Sequence, residues 1–209
     1  MTILVYIFFG FVIASLGSIT PSFLNLTVVK FTLKSGLKSA LYLIGGFATV
    51  LFFQANIGAY LSSVLMENSE YITLIQKIGT GILLLLSINF FRLYIYSKAP
   101  KKKVDIDKSK AYFHGIGMSL LNTFAIPFYF TSISFLIGLN YFKYSLINSF
   151  YFSIGSTLGS FTLYSIYAML APKIEEKITS IAGKMDLILG CLTGVVGIGN
   201  LIFLIQKSL

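Results

Sequence analysis

The chain has 209 residues, of which 56% are hydrophobic and only 11% charged, and its mean hydropathy is +0.85. That balance excludes an ordinary soluble domain, and the length allows one compact domain of about six membrane helices. The net charge of +9 does not describe a nucleic-acid surface, because the lysines are split among short stretches that flank apolar runs; basic loops on the cytoplasmic face of a membrane have this pattern.

The first apolar run covers 3–29, and no positive residue precedes Lys30. A cleaved secretory signal needs a basic leading region and a short apolar core, so the run is expected to remain as a membrane helix. Inside it lies Ser18-Ile19-Thr20-Pro21-Ser22-Phe23-Leu24-Asn25. A proline removes one backbone donor and clashes with the carbonyl four residues back, here that of Gly17. Thr20 followed by Pro21 also reads as an N-cap and a first helical residue. A helix restarting there places unpaired N–H groups and a positive dipole end inside the bilayer. A loop with Lys30, Lys34 and Lys38 is expected next.

The second run, 40–66, contains Gly45-Gly46 and Gln54-Ala55-Asn56, and an acidic turn with Glu67 and Glu70 follows. The third run is 72–96, with Lys77 near its start and Arg92 near its end. The segment 97–110 reads as a soluble loop, with Lys101-Lys102-Lys103, Asp105 and Asp107. The fourth run, 115–139, carries Asn122-Thr123-Phe124-Ala125-Ile126-Pro127, a second proline break about half a chain after the first. Proline-broken helices at matching places in two halves point to a transporter site. A tight turn with Asn140 and Lys143 leads to a fifth run, 144–170. A mixed-charge loop with Lys173, Glu175, Glu176, Lys177 and Lys184 precedes a sixth, 187–205.

These runs predict an all-α integral membrane protein of six transmembrane helices in one domain. Residues 1–96 form one repeat, 97–113 a cytoplasmic loop and 114–209 a second repeat, with the first and fourth helices broken at proline. Three helices per repeat is an odd number, so the second repeat enters from the opposite side and the two are inverted. Pro21, Lys34 and Gly46 are echoed in order by Pro127, Lys143 and Gly155. Of the 16 basic residues only Lys77, Lys143 and Lys207 fall outside the odd-numbered loops. The positive-inside rule then sets both termini outside and the odd loops in the cytoplasm. Gly45 and Gly46, Gly155 and Gly159, and Gly190 and Gly194 give small-residue faces on which helix backbones approach closely. The faces serve packing within the bundle or, as a second use, a homo-oligomer.

Chemistry needs more than these residues supply. Cys191 is the only cysteine and His114 the only histidine, and no carboxylate lies near the middle of a run. No nucleophile-base pair and no metal-ligand set is therefore expected, and with them no enzyme, metal or cofactor.

Several stretches carry a resemblance. Thr20-Pro21-Ser22-Phe23 stands where the LysE/RhtB superfamily of amino-acid exporters has a PGP-type motif in its first helix. Gly36-Leu37-Lys38-Ser39-Ala40 resembles that family's first-loop motif, and Asn122–Phe128 its Asn-Pro stretch in the fourth helix. The resemblance implies a secondary transporter that exports amino acids or similar small polar metabolites across the cytoplasmic membrane by alternating access. A membrane assembly or regulatory protein that keeps this fold without transport is the alternative, and it predicts a packed interior. In the transporter reading, the carbonyls of Gly17 and Thr123, freed by Pro21 and Pro127, line one cavity with Thr20, Ser22, Asn25 and Asn122. Otherwise the prolines only kink their helices, and Ser22 and Asn25 satisfy the freed groups.

Overall fold

A computed structural model describes residues 3–19, 22–67, 69–96, 108–122 and 124–208. Thr20, Pro21, Thr123 and most of the loop between the expected repeats lie outside the described residues. Among those described, the regular structure is helical: α1 Ile3–Ile19, α2 Phe23–Ser35, α3 Leu37–Glu67, α4 Ser69–Tyr96, a 3₁₀ turn Lys108–Lys110, α5 Ala111–Leu120, α6 Ala125–Gly138, α7 Leu146–Gly183 and α8 Met185–Ser208.

By length and apolar character, α3 (Leu37–Val64) and α8 (Leu187–Gln206) each suit a membrane crossing. The pairs α1–α2 and α5–α6 each suit one bent span, making up to 4 candidate spans among the described residues. Six were expected. The third and fifth runs do form long helices, α4 and α7, of 28 and 38 residues. In α7 the apolar character is diluted by a row of buried serines, Ser149, Ser153, Ser156 and Ser160.

Two expected loops are helix instead. Lys30 and Lys34 lie on α2, and only Gly36 separates α2 from α3. Gly36 has φ 83 and ψ 161, a region open essentially to glycine alone, and its N–H closes α2 on the Thr32 carbonyl at 2.8 Å. The mixed-charge stretch Lys173–Lys177 continues α7 through Pro172. Its apolar side explains this. Ile174 packs with Leu26 and Tyr167 around buried Val29 and Ala171, so α2 holds the extension by hydrophobic contact.

The chain forms two compact units. The larger, Met1–Val64 with Asp105–Thr179, gathers α1–α3 and α5–α7 and so cuts across the sequence halves. Its core is Leu43, Ile44, Phe47, Tyr129, Ile133 and Phe152 among others. Two glycine crossings set its helix spacing. A Cβ on Gly10 of α1 would lie 2.0 Å from the Phe152 carbonyl oxygen, and one on Gly155 of α7 would lie 2.0 Å from that of Ile7. A Cβ on Gly46 of α3 would lie 2.1 Å from the Tyr112 carbonyl oxygen, and one on Gly115 of α5 would lie 2.1 Å from that of Leu43. Gly159 extends the first crossing toward Phe11 and Ser15, and Gly45 faces the Tyr112 ring at 3.7 Å. Helices this close exchange dispersion and Cα–H···O contacts that larger residues would forbid.

The smaller unit, Leu65–Val104 with Ser180–Leu209, pairs α4 with α8. The Ser87 hydroxyl donates to the Gly190 carbonyl at 2.8 Å. Gly190 lies against Phe90 and Phe91, and a Cβ on Gly194 would come within 2.8 Å of Ser87 Oγ. Cys191 is exposed on α8.

The crossings predict an ordered set of substitutions. Gly155→Ala and Gly46→Ala place a methyl group against backbone and should each cost roughly 1–3 kcal/mol. Gly79→Ala meets nothing within 4 Å and should be neutral or stabilising, by up to about 1 kcal/mol. Thermal unfolding in detergent reads the order. Gly36→Ala is expected to destabilise too, by roughly 1–3 kcal/mol, through backbone strain.

Candidate functional site

The site begins where the first span breaks. α1 ends at Ile19, α2 starts at Phe23, and their axes differ by 78°. A helix end leaves its last carbonyls without intrahelical partners, and in lipid no water stands ready to take them. Side chains do so here. The Asn25 amide donates from Nδ2 to the Ser18 carbonyl at 2.9 Å. Its Oδ1 accepts from the Ser22 N–H at 3.0 Å and from the Ser22 hydroxyl. The Tyr167 hydroxyl of α7 donates to the Ile19 carbonyl at 2.8 Å. Asn25 is fully buried, so one carboxamide laces the end of α1 to the start of α2 across the bend. Ser22 is the N-cap of α2, in extended conformation.

The second break turns by 65° between α5 and α6. The Leu121 N–H donates to the Gly117 carbonyl at 3.3 Å, that of Asn122 to Ser119 at 3.0 Å, and that of Ala125 to Asn122 at 3.4 Å. The expected break at Pro127 is therefore displaced. The bend falls between the end of α5 at Leu120 and the start of α6 at Ala125, and Pro127 is the third residue of α6. In a first turn its missing N–H removes no intrahelical bond, so the proline starts the second half-helix. Its carbonyl accepts from Thr131 Oγ1 at 2.8 Å. The end of α5 is tied to α3 by Gln54 Nε2 donating to the Ser119 carbonyl and Ser119 Oγ donating to the Phe47 carbonyl, both at 3.4 Å.

The two breaks meet. A Cβ on Gly17 would lie 2.7 Å from the ring of Phe128, the residue after Pro127. The Ser18 hydroxyl donates to that of Ser160 on α7 at 3.4 Å. Beside Ser160 and Ser156 stands the hydroxyl of Tyr129, and beside Ser18 that of Tyr164. The end of α1 and the start of α6 thus share one polar patch on the face of α7. Rings frame it: Phe47 packs edge-on to Tyr164 at 5.5 Å, and Tyr129 to Phe152 at 6.3 Å.

Of the expected site residues, Gly17, Ser22 and Asn25 surround the first bend, and Pro127 lies beside the contact that joins it to the second. Thr20, Pro21 and Thr123 lie outside the described residues. Asn122 is half-buried in the second turn, and among the described residues no hydrogen bond links it to Asn25. Ser18 heads the stretch read from sequence as the first break, whereas Tyr129, Ser156, Ser160, Tyr164 and Tyr167 were not singled out from sequence. The spacing of Ser149, Ser153, Ser156 and Ser160 is helical and one-sided, a polar row in an apolar run, and it was the signal available.

The buried polar side chains among the described residues are Ser, Thr, Asn and Gln, joined by buried tyrosines, with no ionised group among them. Such a patch donates and accepts hydrogen bonds without carrying net charge. Among the described residues no three His, Cys, Asp or Glu side chains come together.

The bend's lacing predicts a stability signature. Asn25→Ala leaves the buried Ser18 carbonyl and the part-buried Ser22 N–H without these partners and should cost about 1–3 kcal/mol. Tyr167→Phe removes the hydroxyl's bond to the Ile19 carbonyl and its contact with Asn25 and should cost less, about 0.5–1.5 kcal/mol. Thermal unfolding in detergent separates the two.

The family model described as LysE type translocator matches residues 15–203. No curated protein and no solved structure gives a match.

Proposed function

The chain belongs to the LysE type translocator family, and from that premise we propose that it exports small, net-neutral polar metabolites, amino acids foremost, across the cytoplasmic membrane by alternating access. The observation that carries the reading is the meeting of two broken spans at Gly17 and Phe128 beside the hydroxyls of Ser18, Ser160, Tyr129 and Tyr164. Irregular backbone deep in lipid is tolerated where protein or water satisfies it, and half-helix ends at such a place recognise charged ends of small solutes.

In this reading the six apolar runs are six spans in two inverted repeats, α1–α2, α3 and α4 against α5–α6, α7 and α8. Support comes from the two bends, at the first span of each repeat, and from the two glycine crossings. One joins α1 to α7 and the other joins α5 to α3, and an inversion that exchanges the repeats turns each pair into the other. The basic residues orient the bundle with both termini outside. Gly17, Thr20, Pro21, Ser22, Asn122, Thr123 and Pro127 then border the solute. Asn25 holds the bend that positions them.

Net neutrality follows from desolvation. A solute with uncompensated charge loses its hydration in an interior that offers only hydroxyls and carboxamides, at a cost of several kcal/mol. In a zwitterion the ammonium and carboxylate compensate each other. The N-terminal N–H groups of α2 suit the carboxylate, and hydroxyl and carbonyl oxygens suit the ammonium.

Proteoliposomes test this. Counterflow of labelled neutral amino acids is expected to exceed that of lysine and arginine by at least tenfold. Ser160→Ala and Tyr164→Phe should each reduce it severalfold without loss of folded protein. Counterflow of none of these amino acids would refute the assignment.

A further inference from the structure

The family and its proposed site account for the junction of the broken spans, but not for the rest of α7's polar face. Ser149, Ser153, Ser156 and Ser160 fall at helical spacings of four, three and four residues, so they line one side of the helix. Their relative exposures are 2%, 0%, 0% and 1%. At 1.5 Å per residue the row runs about 16 Å along the axis, roughly half of a ~30 Å hydrocarbon core.

The two ends of the row are bonded across helices. Ser149 Oγ donates to Asn56 Oδ1 of α3 at 3.0 Å, and Ser160 Oγ accepts from Ser18 of α1 at 3.4 Å. The middle differs. The Ser153 hydroxyl is buried without a hydrogen-bond partner, and the buried Ser156 hydroxyl has none beyond the Tyr129 hydroxyl beside it. Back-bonding to the preceding turn is available to such hydroxyls, and Thr157 on the same helix uses it, donating to the Ser153 carbonyl at 2.8 Å. A buried hydroxyl without a partner carries a desolvation penalty, which alanine of nearly the same size would avoid. These two hydroxyls, adjacent on one face and continuous with the junction, keep hydrogen-bonding capacity open to water or a passing solute.

We propose that the serine face of α7 is the hydrated track along which the transported solute passes between the junction of the broken spans and the Leu146 end of the helix. Ser153 and Ser156 are its transient binding steps, and Asn56 with Ser149 stands at its far end. The proposal rests on the transporter reading and extends it from a site to a route. It also names the barrier. Edge-to-face rings, Tyr6 to Phe142 at 5.3 Å, Phe142 to Phe152 at 5.6 Å and Phe152 to Tyr129 at 6.3 Å, run beside the row. On this proposal these rings are the barrier that parts for passage. The solute class is one that hydroxyls suffice to guide: small, polar and without net charge.

Cysteine accessibility tests the track independently of transport. Cys191→Ser removes the one native thiol. Ser153→Cys and Ser156→Cys are then introduced singly, with Leu158→Cys, on the exposed side of α7, and Ile133→Cys, in the dry core, as controls. Reaction requires the thiolate and hence water. In liposomes, a charged, water-soluble methanethiosulfonate reagent is expected to modify the two track positions at least tenfold faster than either control. Modification no faster than the controls would overturn the track. As a second measurement, the double variant Ser153→Ala/Ser156→Ala is expected to remain folded and to lose fivefold or more of neutral amino-acid counterflow; unchanged counterflow would overturn it as well. The two readings fail separately. Labelling without counterflow of any amino acid refutes the transporter assignment and leaves the hydrated row, whereas counterflow without labelling refutes the row alone.

Discussion

The constraint beneath this structure is the hydrogen-bond demand of a helix, α1, that ends within an apolar run. Ending α1 at Ile19 strands carbonyls that only the protein can satisfy. Asn25 answers from six residues beyond that end, taking the Ser18 carbonyl with its Nδ2 and holding Ser22 with its Oδ1. Tyr167 answers from another span by donating to Ile19. A shorter side chain at 25 could not reach back across the turn, and a carboxylate could not donate. The bend in the first span and its docking on α7 are thus one set of bonds. The polar patch arises where that docking brings the broken end against Ser160 and Tyr164.

The glycine crossings complete the arrangement. Gly10 with Gly155, and Gly46 with Gly115, let α1 ride on α7 and α5 on α3 with backbones in contact. Without that proximity, Ser18 on α1 could not bond Ser160 on α7, nor Gln54 on α3 reach the end of α5. Packing and polar chemistry therefore depend on each other. The crossings set the distances over which short side chains can bridge, and the bridges fix where the half-helices stop. Where apolar surface drives little association between spans, this combination of van der Waals contact and interhelical bonds is what holds a bundle together.

How much of this could be read in the chain follows from range. The first break was legible because proline and four polar residues, Ser18, Thr20, Ser22 and Asn25, interrupt an apolar run within eight positions. The second was legible as a break but displaced, because proline is equally at home in a helix's first turn, and Pro127 occupies that turn in α6. The charged stretch 173–177 read as a loop because its polarity is local. What keeps it helical, the cluster in which Ile174 and Ala171 of α7 gather with Val29 and Leu26 of α2, joins residues about 145 apart in sequence. The same applies to the site. Ser22 and Asn25 were legible because they sit beside Pro21, whereas Tyr129, Tyr164 and Tyr167 join the patch only through tertiary packing.

The polar side chains themselves narrow the chemistry one step further. A carboxylate at the junction would hold a cation tightly and would need neutralising in every state that lacks one, because a lone buried charge is far more expensive than a lone buried hydroxyl. Hydroxyls and carboxamides impose no such requirement, so the interior can be empty, wet or occupied at similar cost. That tolerance is what a carrier needs if its unloaded form is to reorient as readily as its loaded one. It comes at the expense of affinity, since neutral hydrogen bonds give about half of what charge-assisted ones do. An interior built from serine, tyrosine and asparagine is therefore suited to rapid, weakly held passage of a net-neutral solute. The buried hydroxyls of Ser153 and Ser156 are groups of this uncharged kind.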